Sequence, residues 1–257
     1  MSICISYDST FDGFLSAVFE IYAQKLDVGS FLPDRQTDAT ADLFQQNFSV
    51  ETSEDSSMRL RRAIVNAASE EVLQLLYTAF LSEEDGVEMK ILAYLRKLFL
   101  MEDPNYGKNP ASAEMLPLYK IANSVRREAG GMLGIVRFSK WENNFYIAKI
   151  EPKFDILLLM ESHFCNRFAN QKWIIYDMKR KYALLHDRAG AAKVVTLPDE
   201  ESFIRAIQSD SITRLWQDYY NTIAIKEREN PKLLKRCLPV RYWKNLPERQ
   251  AAHTPAL

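Results

Sequence analysis

This sequence predicts an α+β fold: a mostly helical N-terminal part packed with a small antiparallel sheet ordered strand, strand, helix, strand, strand, and then C-terminal helices. Three observations carry that expectation. Between residues 11 and 125 the apolar residues recur at three- and four-residue spacing, the helical period. Between 135 and 187 two pairs of short segments rich in β-branched and aromatic residues flank one helical stretch. Beyond residue 200 the helical period returns. With 257 residues, 47% of them hydrophobic, the chain has apolar material for a real core.

Ile3-Cys4-Ile5-Ser6-Tyr7 reads as a strand. Asp8-Ser9-Thr10 is helix-start chemistry, and Phe11, Phe14, Leu15, Val18, Phe19 and Tyr22 then make one apolar helical face, read as core. The polar, acidic stretch from Asp27 to Asp55 reads as a long connection, broken by Phe48 to Thr52, which alternates like a short strand. Three helices follow, carried by Leu60 and Ile64, by Val72 to Phe80, and by Val87 to Leu98. Pro104, Asn105, Gly107, Asn109 and Pro110 make residues 101–112 the densest turn cluster of the first half. Leu116 to Val125 form another helix, ending at Arg126, Arg127 and Gly130-Gly131, where basic side chains complement the helix dipole.

Ile135 to Trp141 and Phe145 to Ile150 flank Glu142-Asn143-Asn144 as a hairpin, and Pro152 ends its second strand. Ile156, Leu159, Met160, His163, Phe164, Arg167 and Phe168 recur at helical spacing. Trp173 to Asp177 and Lys181 to His186 form a second pair around Met178-Lys179-Arg180. A polar segment from Ala189 to Asp199 leads to a helix over Glu200 to Gln208 and a longer one carrying Ile212 to Ile223. Asn230-Pro231 caps a last short helix. Residues 1–247 are expected to form one domain with any subdivision near 101–112, and 248–257 a flexible tail.

Charge is polarised along the chain although the total is only -1. Residues 1–119 carry a net -10, 120–188 a net +6, 189–225 a net -2 and 226–257 a net +5. A surface built from the second half can therefore concentrate polyanions, or the acidic half can neutralise it across an internal contact. No run of eighteen apolar residues and no basic, apolar leader is present, so neither a membrane span nor a secretory signal is expected and the cytoplasm is the expected compartment. Cys4, Cys165 and Cys237 are too dispersed for a disulfide framework or a metal knuckle. His163 and Cys165 lie two apart on a helix, roughly 200° around its axis, and cannot share one ion. No metal or other cofactor is expected.

Basic residues interleave with aromatic ones across the four strands. Arg137, Lys140, Lys149, Lys172, Lys179, Arg180 and Lys181 lie among Trp141, Tyr146, Trp173, Tyr176 and Tyr182. Cations neutralise phosphates and aromatic rings stack on unpaired bases, the chemistry of single-strand binding. The structural alternative is that strands are aromatic in any case and charged edges prevent aggregation. The candidate nucleic-acid contacts are Arg126, Arg127, Arg137, Lys140, Arg167, Lys179, Arg180, Lys181, Arg241 and Lys244. Arg167 stands on an apolar helical stripe, so its guanidinium must reach solvent or an acceptor such as Asp155 or Asp177.

A resemblance covers residues 3–247. It rests on Tyr7 to Leu15, Arg126-Arg127-Glu128-Ala129, Phe138, Glu151-Pro152, Asp155, His163-Phe164, Arg167-Phe168, Gln171, Trp173, Asp177 and Arg180. It continues through Trp216, Ile225, Glu227-Arg228, Asn230-Pro231, Pro239 and Arg241-Tyr242-Trp243. In these the chain resembles a bacterial domain-of-unknown-function family assigned to DNA metabolism or DNA repair without a characterised activity. That family is encoded beside a radical S-adenosylmethionine protein and is sometimes fused to a uracil-DNA glycosylase-like domain. Members usually carry an extra Gly or basic residue where this chain has Met132-Leu133.

The resemblance implies a DNA-binding or adaptor subunit working with a radical S-adenosylmethionine partner. The chain lacks the cysteine set of the radical enzyme itself. The alternative is a stand-alone enzyme on damaged or modified nucleic acid, with acid and base drawn from Glu151, Asp155, His163, Asp177 or His186. Arg241-Tyr242-Trp243-Lys244 is expected to be ordered and docked, because two adjacent aromatics offset the entropy of fixing a tail.

Overall fold

In the computed structural model, residues 3–36, 46–101, 106, 109, 111–141, 144–188, 190–197, 222 and 230–250 are described. The expected helices over Glu200 to Gln208 and Ile212 to Ile223, and Glu142-Asn143 of the first hairpin, lie outside them. The chain divides into two compact units, Met1–Val125 and Arg126–Leu257.

In the first unit, β1 (Ile3–Tyr7) is followed by α1 (Phe11–Gln24), whose N-cap Thr10 accepts a hydrogen bond from the Gly13 amide. Lys25 in the left-handed conformation closes α1, and the chain returns as β2 (Val28–Pro33), parallel to β1. A third strand, β3 (Gln46–Ser49), pairs in parallel with the other edge of β1, giving the order β2-β1-β3. The stretch read as a long connection thus supplies two strands. The short strand expected at Phe48 to Thr52 is present as β3, set about two residues earlier, whereas β2 went unexpected because it is short, largely half-exposed and lacks the apolar run of a buried strand. Then come α2 (Glu54–Ala67), α3 (Glu70–Phe80) and α4 (Val87–Leu100), with Ser53 and Ser69 as side-chain caps of the first two. Ile5, Phe14, Leu15, Ile64, Leu76, Ile91 and Leu95 are fully buried in one core.

Helix α5 (Met115–Leu133) continues through Gly130-Gly131, so Arg126 and Arg127 lie ahead of its last turn. In the second unit, β4 (Ser139–Trp141) and β5 (Phe145–Ile150) pair antiparallel, as do β6 (Lys172–Asp177) and β7 (Tyr182–Asp187). The join between the pairs is parallel: β5 runs alongside β6 with Tyr146 opposite Trp173 and Ile150 opposite Asp177. A fifth strand, β8 (Lys193–Val195), lies in the segment read as merely polar. The sheet is therefore mixed, ordered β4-β5-β6-β7-β8.

The α+β expectation with a small antiparallel sheet is corrected: the molecule is α/β, with a three-stranded parallel sheet and a five-stranded mixed one. The physical reason lies between Ile150 and Lys172. That connection carries a 3-10 turn (Leu158–Met160) and α6 (Glu161–Arg167), long enough for a crossover that brings the next strand in parallel. Near the C-terminal end, α7 (Pro231–Cys237) is capped by the Asn230 side chain, a 3-10 segment spans Val240–Asn245, and α8 covers Pro247–Gln250.

Candidate functional site

After α5 the chain turns sharply. The Gly134 amide bonds to the Gly131 carbonyl at 3.2 Å, and the Ile135 and Val136 amides both bond to that of Met132. Arg137 folds back on this turn, donating through Nη1 to the Gly134 carbonyl at 3.0 Å and through Nη2 to Glu248 Oε1 at 2.9 Å. The next residue, Phe138, meets α6. On that helix His163 and Arg167 form one i, i+4 row and Phe164 and Phe168 the adjacent one. Between the turn and the helix lies a cleft of about 460 Å³, lined in part by Arg137, Phe138, His163, Phe164, Arg167 and Phe168.

Aromatic packing fixes the cleft floor. Phe164 is buried, and its ring lies nearly parallel to that of Phe168, with centroids 6.2 Å apart. Phe138 stands edge-on to Phe168 at 5.3 Å and to Phe164 at 5.6 Å. Beneath them Trp173 is buried, 6.1 Å from Phe164 and stacked on His186 at 5.2 Å. His186 Nδ1 lies 3.1 Å from the Gln171 carbonyl, which can only accept, so that nitrogen carries the proton. The Arg167 guanidinium is exposed and sits 5.7 Å from the Phe168 ring centroid, within cation–π range.

The structure brings Arg137 and Arg167 of the candidate cations to one cleft. Arg126 and Arg127 are exposed on α5, and Lys140 is exposed on β4. Lys179, Arg180 and Lys181 share the β6–β7 turn. There buried Asp177 accepts from the Lys179 and Arg180 amides and pairs with Arg180 Nη1 at 2.9 Å. Arg180 Nη2 also donates to the Lys153 carbonyl, as does Lys179 Nζ. Arg241 pairs with Glu128 at 2.9 Å and Lys244 with Glu151 at 2.5 Å.

The candidate acids and bases do not converge. Asp155 accepts from the Tyr182 hydroxyl at 2.5 Å, and burial together with that carboxylate pushes the phenol well above its ordinary range. Glu151 is held by Lys244, Asp177 by Arg180, and His186 lies under Trp173. His163 is the member that reaches the cleft. No group of three metal-ligating side chains occurs among the described residues.

Of the aromatics that sequence placed on the strands, Trp173 and Tyr176 are buried and Tyr182 is bound to Asp155, while Trp141 is exposed. The rings that open to the cleft are Phe138 and Phe168, the first just ahead of β4 and the second at the C-cap of α6. The signal in the sequence was an arginine beside a phenylalanine at the end of an apolar helical stripe.

Two further clusters hold the resemblance residues in structural roles. The Glu128 carboxylate accepts from the Lys153 and Phe154 amides at 2.9 and 2.8 Å, from Arg241, and from the Tyr242 hydroxyl. Burial and this carboxylate raise the Tyr242 hydroxyl to about 12. In the first unit Asp8, just past β1, accepts from the Thr10 amide and hydroxyl and from the Thr52 hydroxyl. Partial burial opposes the Asp8 charge, but these hydrogen bonds outweigh it and hold the carboxyl below its ordinary value.

Fold and site thus define an α/β protein whose second unit carries a cationic, aromatic-walled cleft. The family model of DUF4130, a domain of unknown function, matches residues 85–248, and the chain belongs to that family. The whole cleft lies inside the matched region. No curated protein matches the chain. No helix among the described residues is long and apolar enough to cross a membrane.

Proposed function

We propose that the protein is a DNA-binding or adaptor subunit of DNA repair or DNA metabolism, which holds single-stranded or damaged DNA and presents it to a radical S-adenosylmethionine partner. The observation that carries this reading is the exposed Arg167 guanidinium over Phe168, in a cleft that Phe138 also lines, edge-on to Phe168. A cation beside half-buried aromatic rings that line a cleft suits a nucleotide, whose phosphate needs charge and whose base needs a flat apolar surface. The partner and the repair setting rest on the family resemblance, and the net positive charge of residues 120–188 and 226–257 agrees with a polyanionic ligand.

The test is fluorescence anisotropy with short labelled oligonucleotides, single-stranded, duplex and damaged, at several salt concentrations. Affinity for single-stranded or damaged DNA above that for intact duplex, falling steeply with salt, is expected. Binding that is absent, or indifferent to salt, overturns the reading. The same mixtures, incubated with Mg or Mn ions and run on a denaturing gel, should show unchanged DNA. Turnover by the isolated chain would assign it to the enzymes instead.

A further inference from the structure

We infer that the cleft between Arg137 and Arg167 takes a single unstacked nucleotide, one base rather than a run of stacked bases; this rests on the DNA-binding reading and sharpens it. Surfaces that hold consecutive bases offer several accessible rings in roughly parallel planes. Here the geometry differs. The two half-buried rings that line the cleft, Phe138 and Phe168, stand 72° apart with centroids at 5.3 Å. The ring that is parallel to Phe168, Phe164, is buried at 3% exposure. A planar group stacked on Phe168 therefore meets Phe138 edge-on, and that wall stops the stack after one member.

Volume agrees with this limit. The cleft of about 460 Å³ falls in the lower part of the range of small-molecule pockets, ~300–1,000 Å³. The charge is also placed for one phosphate. Arg137 is held by the Gly134 carbonyl and by Glu248, so its charge is compensated and it serves as a wall. Arg167 is exposed on the opposite side, one helical turn from His163, and offers a planar fork of donors to a phosphate. His163 stands on the same row, where a ring nitrogen can meet the polar edge of a base. A base enters such a cleft from a duplex only by leaving the stack, which is easiest at a mismatch, a bulge or a damaged site.

Three labelled duplexes test the inference: one fully paired, one with a single bulged base, and one with the same bulge lacking its base (a tetrahydrofuran residue). The bulged base should bind about 5- to 150-fold more tightly than its abasic counterpart, the range of one base–aromatic stack. Phe168→Ala should abolish that preference, and Arg167→Ala should weaken both bulged duplexes alike. Phe168→Leu keeps apolar bulk without an aromatic face; it should behave like Phe168→Ala and guards against a packing defect, with thermal melting checking its fold. Equal, salt-sensitive binding of the bulged and abasic duplexes would overturn the one-base inference and leave the DNA-binding reading standing. Preference retained in Phe168→Leu would overturn it too. Failure to bind any of the three would overturn the one-base inference, and failure to bind a single-stranded oligonucleotide as well would remove both.

Discussion

Gly13 sits where a side chain has no room: a Cβ there would lie 2.0 Å from Asp8 Oδ1 and 2.8 Å from Thr52 Oγ1. Asp8 in turn is held by Thr10 and Thr52, so these four residues form one cradle at the start of α1. Alanine normally favours a helix over glycine by about 1 kcal/mol, whereas loss of hydrogen bonds to a charged carboxylate costs about 1.5–3 kcal/mol. Gly13→Ala is therefore expected to destabilise by about 1 kcal/mol. In an Asp8→Ala background the 2.0 Å clash is gone and only the Thr52 hydroxyl still has to give, so the same change should cost less. Melting temperatures of the four proteins decide this, and equal effects of Gly13→Ala in both backgrounds would refute the cradle.

The Asp8 charge also sets a pH dependence. Because its folded pKa lies below the ordinary value, its contribution is complete above the unfolded pKa and disappears as pH falls through the folded one. Urea midpoints of wild type and Asp8→Asn should differ at neutral pH, by about 1 kcal/mol after allowance for solvent screening. They should converge as pH falls through the lowered folded value. A gap that persists at low pH would mean that the charge is not what the hydroxyls hold.

At the scale of elements, the segment after Cys237 is docked rather than trailing. Tyr242 and Leu246 are 6% and 1% exposed, and the Trp243 indole donates to the Leu238 carbonyl at 3.0 Å. Arg241 and Tyr242 complete the hydrogen bonding of Glu128, whose other bonds go to the Lys153 and Phe154 amides after β5. Truncation after Cys237 removes two buried side chains worth about 1.5–3 kcal/mol each and should lower the melting temperature by several degrees. Glu128→Ala should destabilise by about 1–3 kcal/mol, since it removes the acceptor of the part-buried Phe154 amide and Tyr242 hydroxyl, while half-exposed Arg241 returns to water. In the truncated protein the same substitution should cost less, because part of what Glu128 holds is already gone. Additive losses would uncouple the two, and unchanged stability on truncation with weaker DNA binding would make the segment a flexible arm.

For the whole molecule, ion pairing decides how much of the positive excess is available to a ligand. Arg137, Lys172, Arg180, Arg241 and Lys244 each pair with a carboxylate, respectively Glu248, Asp187, Asp177, Glu128 and Glu151. Under the proposed function, Arg167→Ala should reduce the slope of log affinity against log salt by about one with little change in stability. Arg180→Ala should do the reverse, costing about 3–5 kcal/mol by stranding buried Asp177 while leaving the slope intact. The slope and the urea midpoint measured on both variants separate the roles, and a slope change in Arg180→Ala alone would exchange them.

Features with local causes were legible in the sequence: β1, the Thr10 and Asn230 caps, the helices after β3, both antiparallel strand pairs, the first of them shorter than expected because residues 135–138 lie ahead of β4, and the apolar stripe that places Phe164 and Phe168 on one row. Each follows from side chains within a few residues of one another, where periodicity and capping act. The parallel β5–β6 join, the pairing of β2 and β3 on either side of β1, and the fifth strand β8 depended on partners far along the chain. Their short, polar segments carry no mark of which edge they will meet. The cleft divides in the same way. His163, Phe164, Arg167 and Phe168 follow from helical spacing, but Arg137 and Phe138 reach them only through the turn after α5 and the packing of Phe138 against Phe164 and Phe168. Sequence supplied the cations and the rings; the tertiary fold decided which cations would be neutralised by carboxylates and which rings would face solvent, because pairing and burial are set by neighbours distant in the chain.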